Sequence, residues 1–277
     1  MKFKKLEVSN LQIGTFQSDG EGYPIIFLHA NSIGAASFYW QMMSKQAEKY
    51  RFISIDMPGH GASDFSFKPE EYYNIDAISD IIAGILQYFD FDKCVLCGHG
   101  LGAHVAIRTA AKVDKVEGLM LVGAAPITSY QKMEEAYHVD EVYRLFHKGR
   151  LGEAEVSILA QQFISKDDVA EIMFVDNIKN TDPNFRTHMY QSFVNDKTND
   201  FNILRSLKIP ITLLNGDKDR IVNRKYLESN KIEEFLWRGK VQYISESGNS
   251  PMWEKHKVFN YFIEQFIEDI IAKKETK

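Results

Sequence analysis

The 277 residues carry a net charge of −5, with 44% hydrophobic and 26% charged residues. A chain of this length buries roughly 75% of its unfolded surface, so it needs no disulfide or metal to hold a core. The acidic balance leaves no basic footprint for nucleic acid. The start, Met1-Lys2-Phe3-Lys4-Lys5-Leu6, lacks the apolar core of a signal peptide, and no stretch approaches ~20 apolar residues. Neither export nor a membrane span is expected, and the setting is read as reducing and cytoplasmic.

Residues 3–8 and 11–16 read as an opening hairpin around Ser9-Asn10. Residues 25–29 form a third strand, 36–50 a helix, and 52–56 a fourth strand that ends in Met57-Pro58-Gly59-His60-Gly61. Asn74 then caps a helix whose Ile75, Ile78, Ile82, Ile85 and Phe89 recur at three- and four-residue steps, the stripe of a helix packed on a sheet. Residues 94–98 are a central strand, 101–112 the helix leaving it, and 116–122 the next strand. Cys94 and Cys97 form a Cys-x-x-Cys string, but strand side chains alternate faces, so the two sulfurs point apart and are read as core thiols.

From about 125 to 207 the strand pattern stops. Four helical stretches are predicted near 130–146, 152–163, 167–178 and 183–193. Strands resume at 211–215 and 241–244, and a last helix carries Phe259, Phe262, Phe266 and Ile270. Short apolar runs alternating with helices specify an α/β fold, a mostly parallel sheet flanked by helices. Residues 1–125 and 208–277 make the core, and 126–207 an inserted helical lid over the carboxyl ends of the strands, where open α/β sheets bind ligands.

Gly98-His99-Gly100-Leu101-Gly102 falls between a strand and a helix, where a Gly-x-nucleophile-x-Gly elbow presents an attacking side chain. Both flanking glycines are present; the centre is glycine. Gly98-x-Gly100-x-x-Ala103 also fits a dinucleotide-binding fingerprint, but that motif needs an acid at the end of the next strand. The next strand ends Leu121-Val122-Gly123-Ala124-Ala125, and four strands precede the motif instead of none, so the nucleotide reading is the weaker. Three further loops follow strands: His29-Ala30-Asn31-Ser32, Asn215-Gly216-Asp217-Lys218-Asp219, and Ser245-Glu246-Ser247-Gly248-Asn249-Ser250-Pro251.

Elbow, acid, last loop is the triad order of α/β-hydrolases, and most of the chain resembles that superfamily. Within it the chain is most similar to the acyl-homoserine-lactone lactonases, on Asn31-Ser32, on Asp56-Met57-Pro58-Gly59-His60-Gly61-Ala62-Ser63, and on Leu236-Trp237-x-Gly239-Lys240. The resemblance implies an α/β-hydrolase fold, with Asp219 as the retained acid and the amides of Asn31 and Leu101 as oxyanion-hole donors. It also implies that Gly100 stands at the nucleophile position and Asn249 at the histidine position. His29 keeps the family's histidine in its loop, while Ala30 replaces the usual glycine.

Acyl transfer by this route needs an attacking oxygen and a base. Gly100 supplies no oxygen, and the amide of Asn249 does not titrate near neutral pH. Loss of one such member costs on the order of a millionfold in turnover, while an oxyanion hole and pocket alone leave about 10³-fold over water. His99, His60 and His104 are read as hydrogen-bonded core histidines, His99 pointing away from substrate. Ser32 and Ser250 lie near the site without a base, and Asp217 is read as a surface carboxylate. Tyr130, Tyr137, Tyr143, Phe146, Phe163, Met173, Phe174, Met189 and Phe193 are the lid side chains able to line an apolar cavity.

Three functions fit. The first is a disabled hydrolase or small-molecule binder, natural or engineered, taking an amphiphilic or apolar ligand such as an acyl ester or lactone under the lid. The second is an enzyme working without a covalent intermediate, a lyase or direct hydration, with Asp219 as base beside the oxyanion hole. The third is a scaffold, which requires a closed or collapsed pocket. No cofactor or metal is implied, and neither nucleic acid nor membrane is expected as a partner. Oligomeric state is not legible.

Overall fold

The computed structural model describes residues 1–129, 132–164, 168–229 and 232–275. Eight strands form one sheet in the order β1-β2-β4-β3-β5-β6-β7-β8: β1 Lys2–Val8, β2 Leu11–Gln17, β3 Pro24–Leu28, β4 Arg51–Ile55, β5 Cys94–His99, β6 Val116–Val122, β7 Ile211–Gly216 and β8 Gln242–Ile244. The β1–β2 hairpin turns through Ser9 and Asn10, both at positive φ. It joins β4 antiparallel, and from β4 to β8 every pairing is parallel. All six residues of β5 are buried, as expected for a parallel strand covered on both faces. The edges differ. β1 exposes Lys2, Phe3, Lys4 and Lys5, whereas β8 has three residues.

The sheet separates two apolar layers. One, under the Ile75–Tyr88 and Leu101–Ala110 helices, contains Ile78, Ile82, Ile85, Val105 and Cys94. The other, under the His256–Glu275 helix, contains Phe259, Phe266, Ile270 and Cys97. The two thiols therefore lie on opposite faces, both free and buried. Asn74 caps its helix through Oδ1, which accepts from the Ala77 amide at 2.8 Å. No helix among the described residues is long and apolar enough to cross a membrane.

Two expected helices are broken. Residues 36–50 form a 3-10 turn, Ala35–Phe38, and two single-turn helices, Tyr39–Met42 and Gln46–Lys49. The Ser44 hydroxyl donates to the Gln41 carbonyl at 2.7 Å and accepts from the Ala47 amide, offering the backbone a local alternative to the helical ladder. The described part of 130–146 holds only Met133–Ala136 and part of the 3-10 turn Tyr143–His147. Between them Tyr137 pairs with Val222 in an antiparallel bridge, and the His138 amide donates to the Ile221 carbonyl. Tertiary pairing overrides local propensity there.

The remaining helices of the insertion between β6 and β7 are Glu153–Phe163, Asp168–Lys179 and Pro183–Asn195, with Asp200–Ser206 as an addition to those expected. Asp182 and Asn199 cap the last two through side-chain oxygens. The short helices Pro69–Tyr72 and Pro251–Glu254, each opened by a proline at its first position, are likewise additions.

Candidate functional site

β5 ends at His99, and the Leu101–Ala110 helix begins two residues later. Gly100 turns the chain between them at φ 52°, ψ −115°, a combination that strains any L side chain. Its amide donates to the Val122 carbonyl at 2.9 Å, which ties the turn to β6. The flanking glycines are required by contact: a Cβ on Gly98 would strike the Gly102 backbone, and one on Gly102 would strike the Leu28 carbonyl.

Above this turn is a cavity of about 70 Å³ whose wall includes Gly100, Leu101, Asn31 and Asn249. The expected positions from the loops after β3 and β8 and from the elbow thus meet at one place. Neither the Asn31 nor the Leu101 amide donates to another group among the described residues. The Leu101 amide opens a helix, where N–H groups have no intrahelical acceptor. Tyr137, Tyr143, Phe146, Phe163 and Phe193 complete the apolar wall, joined by Met133 and His147, which the sequence did not single out. Phe174 and Met189 are core residues instead: Phe174 stacks on Phe163 at 5.7 Å, and Met189 is buried. Met173 lies outside the cavity wall, packed against the core, and Tyr130 lies outside the described residues.

Asn249 is 2% exposed and fully engaged. Its Nδ2 donates to Asp219 Oδ2 at 2.9 Å and to the Gly123 carbonyl at 3.0 Å. Two oxygen neighbours fix that end as nitrogen, so Oδ1 accepts from His99 Nε2 at 2.9 Å. Asn249 approaches so closely that a Cβ on Gly123 would meet its backbone oxygen and Nδ2. Asp219 Oδ1 accepts from the Ile221 and Val222 amides at 2.8 and 3.1 Å. Burial pushes Asp219 up to about 6, against these hydrogen bonds, which pull it down. Asp219 itself is not part of the cavity wall; Asn249 stands there.

His99 is buried behind the wall, its Nδ1 without a partner among the described residues, and desolvation lowers it to about 4. His29 Nδ1 donates to the Ala30 carbonyl at 2.8 Å, and its Nε2 accepts from the Met57 amide at 2.9 Å. His60 Nε2 accepts from the Ser32 amide at 3.1 Å. Burial keeps both neutral, His29 at about 4. These rings brace the β3 and β4 loops. His104 lines the cavity, which its place on the helix behind the elbow did not suggest, and bridges Asp200 Oδ2 at 2.8 Å to the Tyr137 hydroxyl at 2.9 Å. Ser32 Oγ donates to Asn31 Oδ1 and accepts from Arg186 Nη1, neither of which is a base. Asp217 is half-buried, not a surface carboxylate, because the loop after β8 folds over it: its amide donates to the Ile244 carbonyl and its Oδ2 accepts from Ser245 Oγ.

Arg186 was missed. It is 3% exposed, and its guanidinium donates to the carbonyls of Lys148, Gly149 and Ile178 as well as to Ser32, strapping three segments of the insertion to the β3 loop. Burial brings it down to about 10, so it stays charged at neutral pH. Among the described residues no three His, Cys, Asp or Glu side chains are grouped to hold a metal.

Residues 25–260 match the alpha/beta hydrolase family. The AB hydrolase superfamily protein YisY of Bacillus subtilis is 26% identical over 258 residues, covering 89% of this chain and 92% of that protein. Among solved structures, a serine-to-glycine mutant of the N-acyl homoserine lactonase AidH, complexed with N-hexanoyl homoserine lactone, superposes with a TM-score of 0.91 at 26% identity over 98% of both chains. AidH complexed with N-butanoyl homoserine also gives 0.91, over 98% of this chain and 97% of that one.

Proposed function

Because the chain belongs to the alpha/beta hydrolase family, we propose that it is a hydrolase disabled at its nucleophile, one that binds an amphiphilic acyl ester or lactone without forming an acyl-enzyme. The observation that carries this reading is Gly100 at the centre of the elbow, with Asn249 locked among Asp219, Gly123 and His99. The turn offers no attacking oxygen, and the group between the acid and the cavity is an amide that cannot shuttle a proton. The unpartnered amides of Asn31 and Leu101 remain as donors to a ligand carbonyl. The AidH serine-to-glycine mutant complexed with N-hexanoyl homoserine lactone supports lactone binding by a protein of this fold that has lost a serine.

Residues 126–207 act as the lid. A cavity of about 70 Å³ is several-fold below the ~300–1,000 Å³ of sites that enclose a drug-sized ligand. An acyl chain therefore enters only if side chains move. Met133, Tyr143 and His147 are the ones to move, since they also wall an outer groove of about 410 Å³.

The test is calorimetric titration with N-hexanoyl homoserine lactone, alongside turnover of p-nitrophenyl butyrate and the same lactone. Saturable binding with hydrolysis at the solution rate is expected. Turnover well above background, or an acyl adduct seen by mass spectrometry, refutes the reading. Non-covalent catalysis with Asp219 as base is the lesser reading: burial raises its pKa to about 6, but Asn249 stands between the carboxylate and the cavity. Under that reading Asp219→Asn abolishes an activity; under the first there is none to abolish.

A further inference from the structure

Gly100 and Ala30 are seventy positions apart, yet they meet at the elbow. An ideal Cβ built on Gly100 lies 2.8 Å from the Ala30 Cβ and 3.6 Å from its Cα, and apart from the flanking residues no other described heavy atom comes within 4 Å. Carbon atoms in contact stand ~3.5–4.0 Å apart. A methyl group is no flexible tip, so relief requires movement of the loop backbone. That loop is pinned. The Ala30 carbonyl accepts from His29 Nδ1 and from the Ile33 amide, the Asn31 side chain donates to the Phe146 carbonyl at 3.0 Å, and the Ser32 amide is held by His60.

We propose that Ala30 is a third determinant of the site: its methyl occupies the place that any side chain at position 100 requires, so Ala30 and Gly100 hold the elbow bare as a matched pair. Ala30 also lines the cavity, together with Asn31 and Gly100, and its methyl narrows the approach to a planar group such as an ester or lactone carbonyl. The inference rests on the proposed function only in saying what the narrowed space receives. A consequence follows for restoring hydrolysis. Gly100→Ser with Asn249→His is insufficient, and Ala30→Gly has to accompany them.

A double-mutant cycle on stability separates this proposal from the binding question. Gly100→Ala is made in the unchanged protein and in an Ala30→Gly background, and urea unfolding is measured for all four proteins. The positive φ at position 100 penalises alanine in both backgrounds and cancels, leaving the clash. Overpacking of this kind shifts the folding equilibrium about ten- to hundredfold. Gly100→Ala is expected to destabilise the unchanged protein at least tenfold more than the Ala30→Gly protein. If Gly100→Ala alone fails to fold while the pair folds, the proposal is supported equally well. If the pair is no better folded than Gly100→Ala alone, it is overturned. Lactone titration of the unchanged protein reports on the proposed function separately, because no cycle variant enters that measurement.

Discussion

Replacing Asn249 with alanine isolates what the amide does. The change removes the hydrogen bonds from Nδ2 to Asp219 Oδ2 and to the Gly123 carbonyl, and the one that Oδ1 accepts from His99. The third loss is covered, because His99 Nε2 also lies 3.0 Å from the Asn249 backbone oxygen, which alanine retains. The first two are not. A buried acceptor left without its donor costs about 1–3 kcal/mol, with a carboxylate toward the upper end. Asn249→Ala should therefore destabilise the fold by roughly 2–4 kcal/mol, lowering the melting temperature by about 5–10 °C in a chain of this size. The carboxylate reports independently. The Asn249 hydrogen bond is one of the influences holding Asp219 down, so its removal must move that titration above 6. Calorimetry and carboxyl-carbon NMR read the two effects. A variant within about 1 kcal/mol of the parent, with Asp219 unmoved, refutes the bridging role of Asn249.

The titration of Asp219 in the parent protein sets a pH dependence. Its folded pKa of about 6 lies above the ordinary 3.8, so folding favours the protonated form. That contribution is full below the unfolded value, fades as pH rises from about 4 to 6, and is gone above. Asp219→Asn should accordingly gain up to about 3 kcal/mol relative to the parent between pH 4 and 7; urea midpoints that keep a constant difference across that range contradict it. Arg186→Met leaves three carbonyls without donors, so a loss of about 2–4 kcal/mol is expected, with faster proteolysis within 126–207. An unchanged cleavage pattern and melting point count against the strap. Burial raises Cys94 to about 12 and Cys97 further, so both thiols should resist a disulfide reagent until the chain unfolds and then react together. Rapid labelling of either in the native protein contradicts their placement.

The sheet and the elbow were legible because they depend on local pattern. Ile75, Ile78, Ile82 and Ile85 announce their helix by steps of three, four and three residues, and Gly98 and Gly102 mark a turn that backbone crowding requires. The loops at Asn31, Gly100 and Asn249 were placed together by their order along the chain, and the cavity brings them together. What stayed hidden depends on contacts between distant residues. Nothing near Ala30 in sequence discloses that its methyl faces Gly100. Arg186 looks like any polar residue of an amphipathic helix until the carbonyls of Lys148 and Gly149 surround it. The broken helices failed for a related reason: Ser44 and the Tyr137–Val222 bridge satisfy the backbone in ways that hydrophobic spacing does not encode.

The free border of β1 bears on edge-to-edge association. A strand there offers unpaired amides and carbonyls to any similar strand in solution, yet it carries lysine at positions 2, 4 and 5. A second molecule docking in either direction would bring ammonium groups alongside one another, which discourages continuation of the ladder. At the opposite border β8 is too short to template an addition. Neutralising the three lysines should therefore promote assembly at high concentration without disturbing the pocket, whose wall includes no residue of β1.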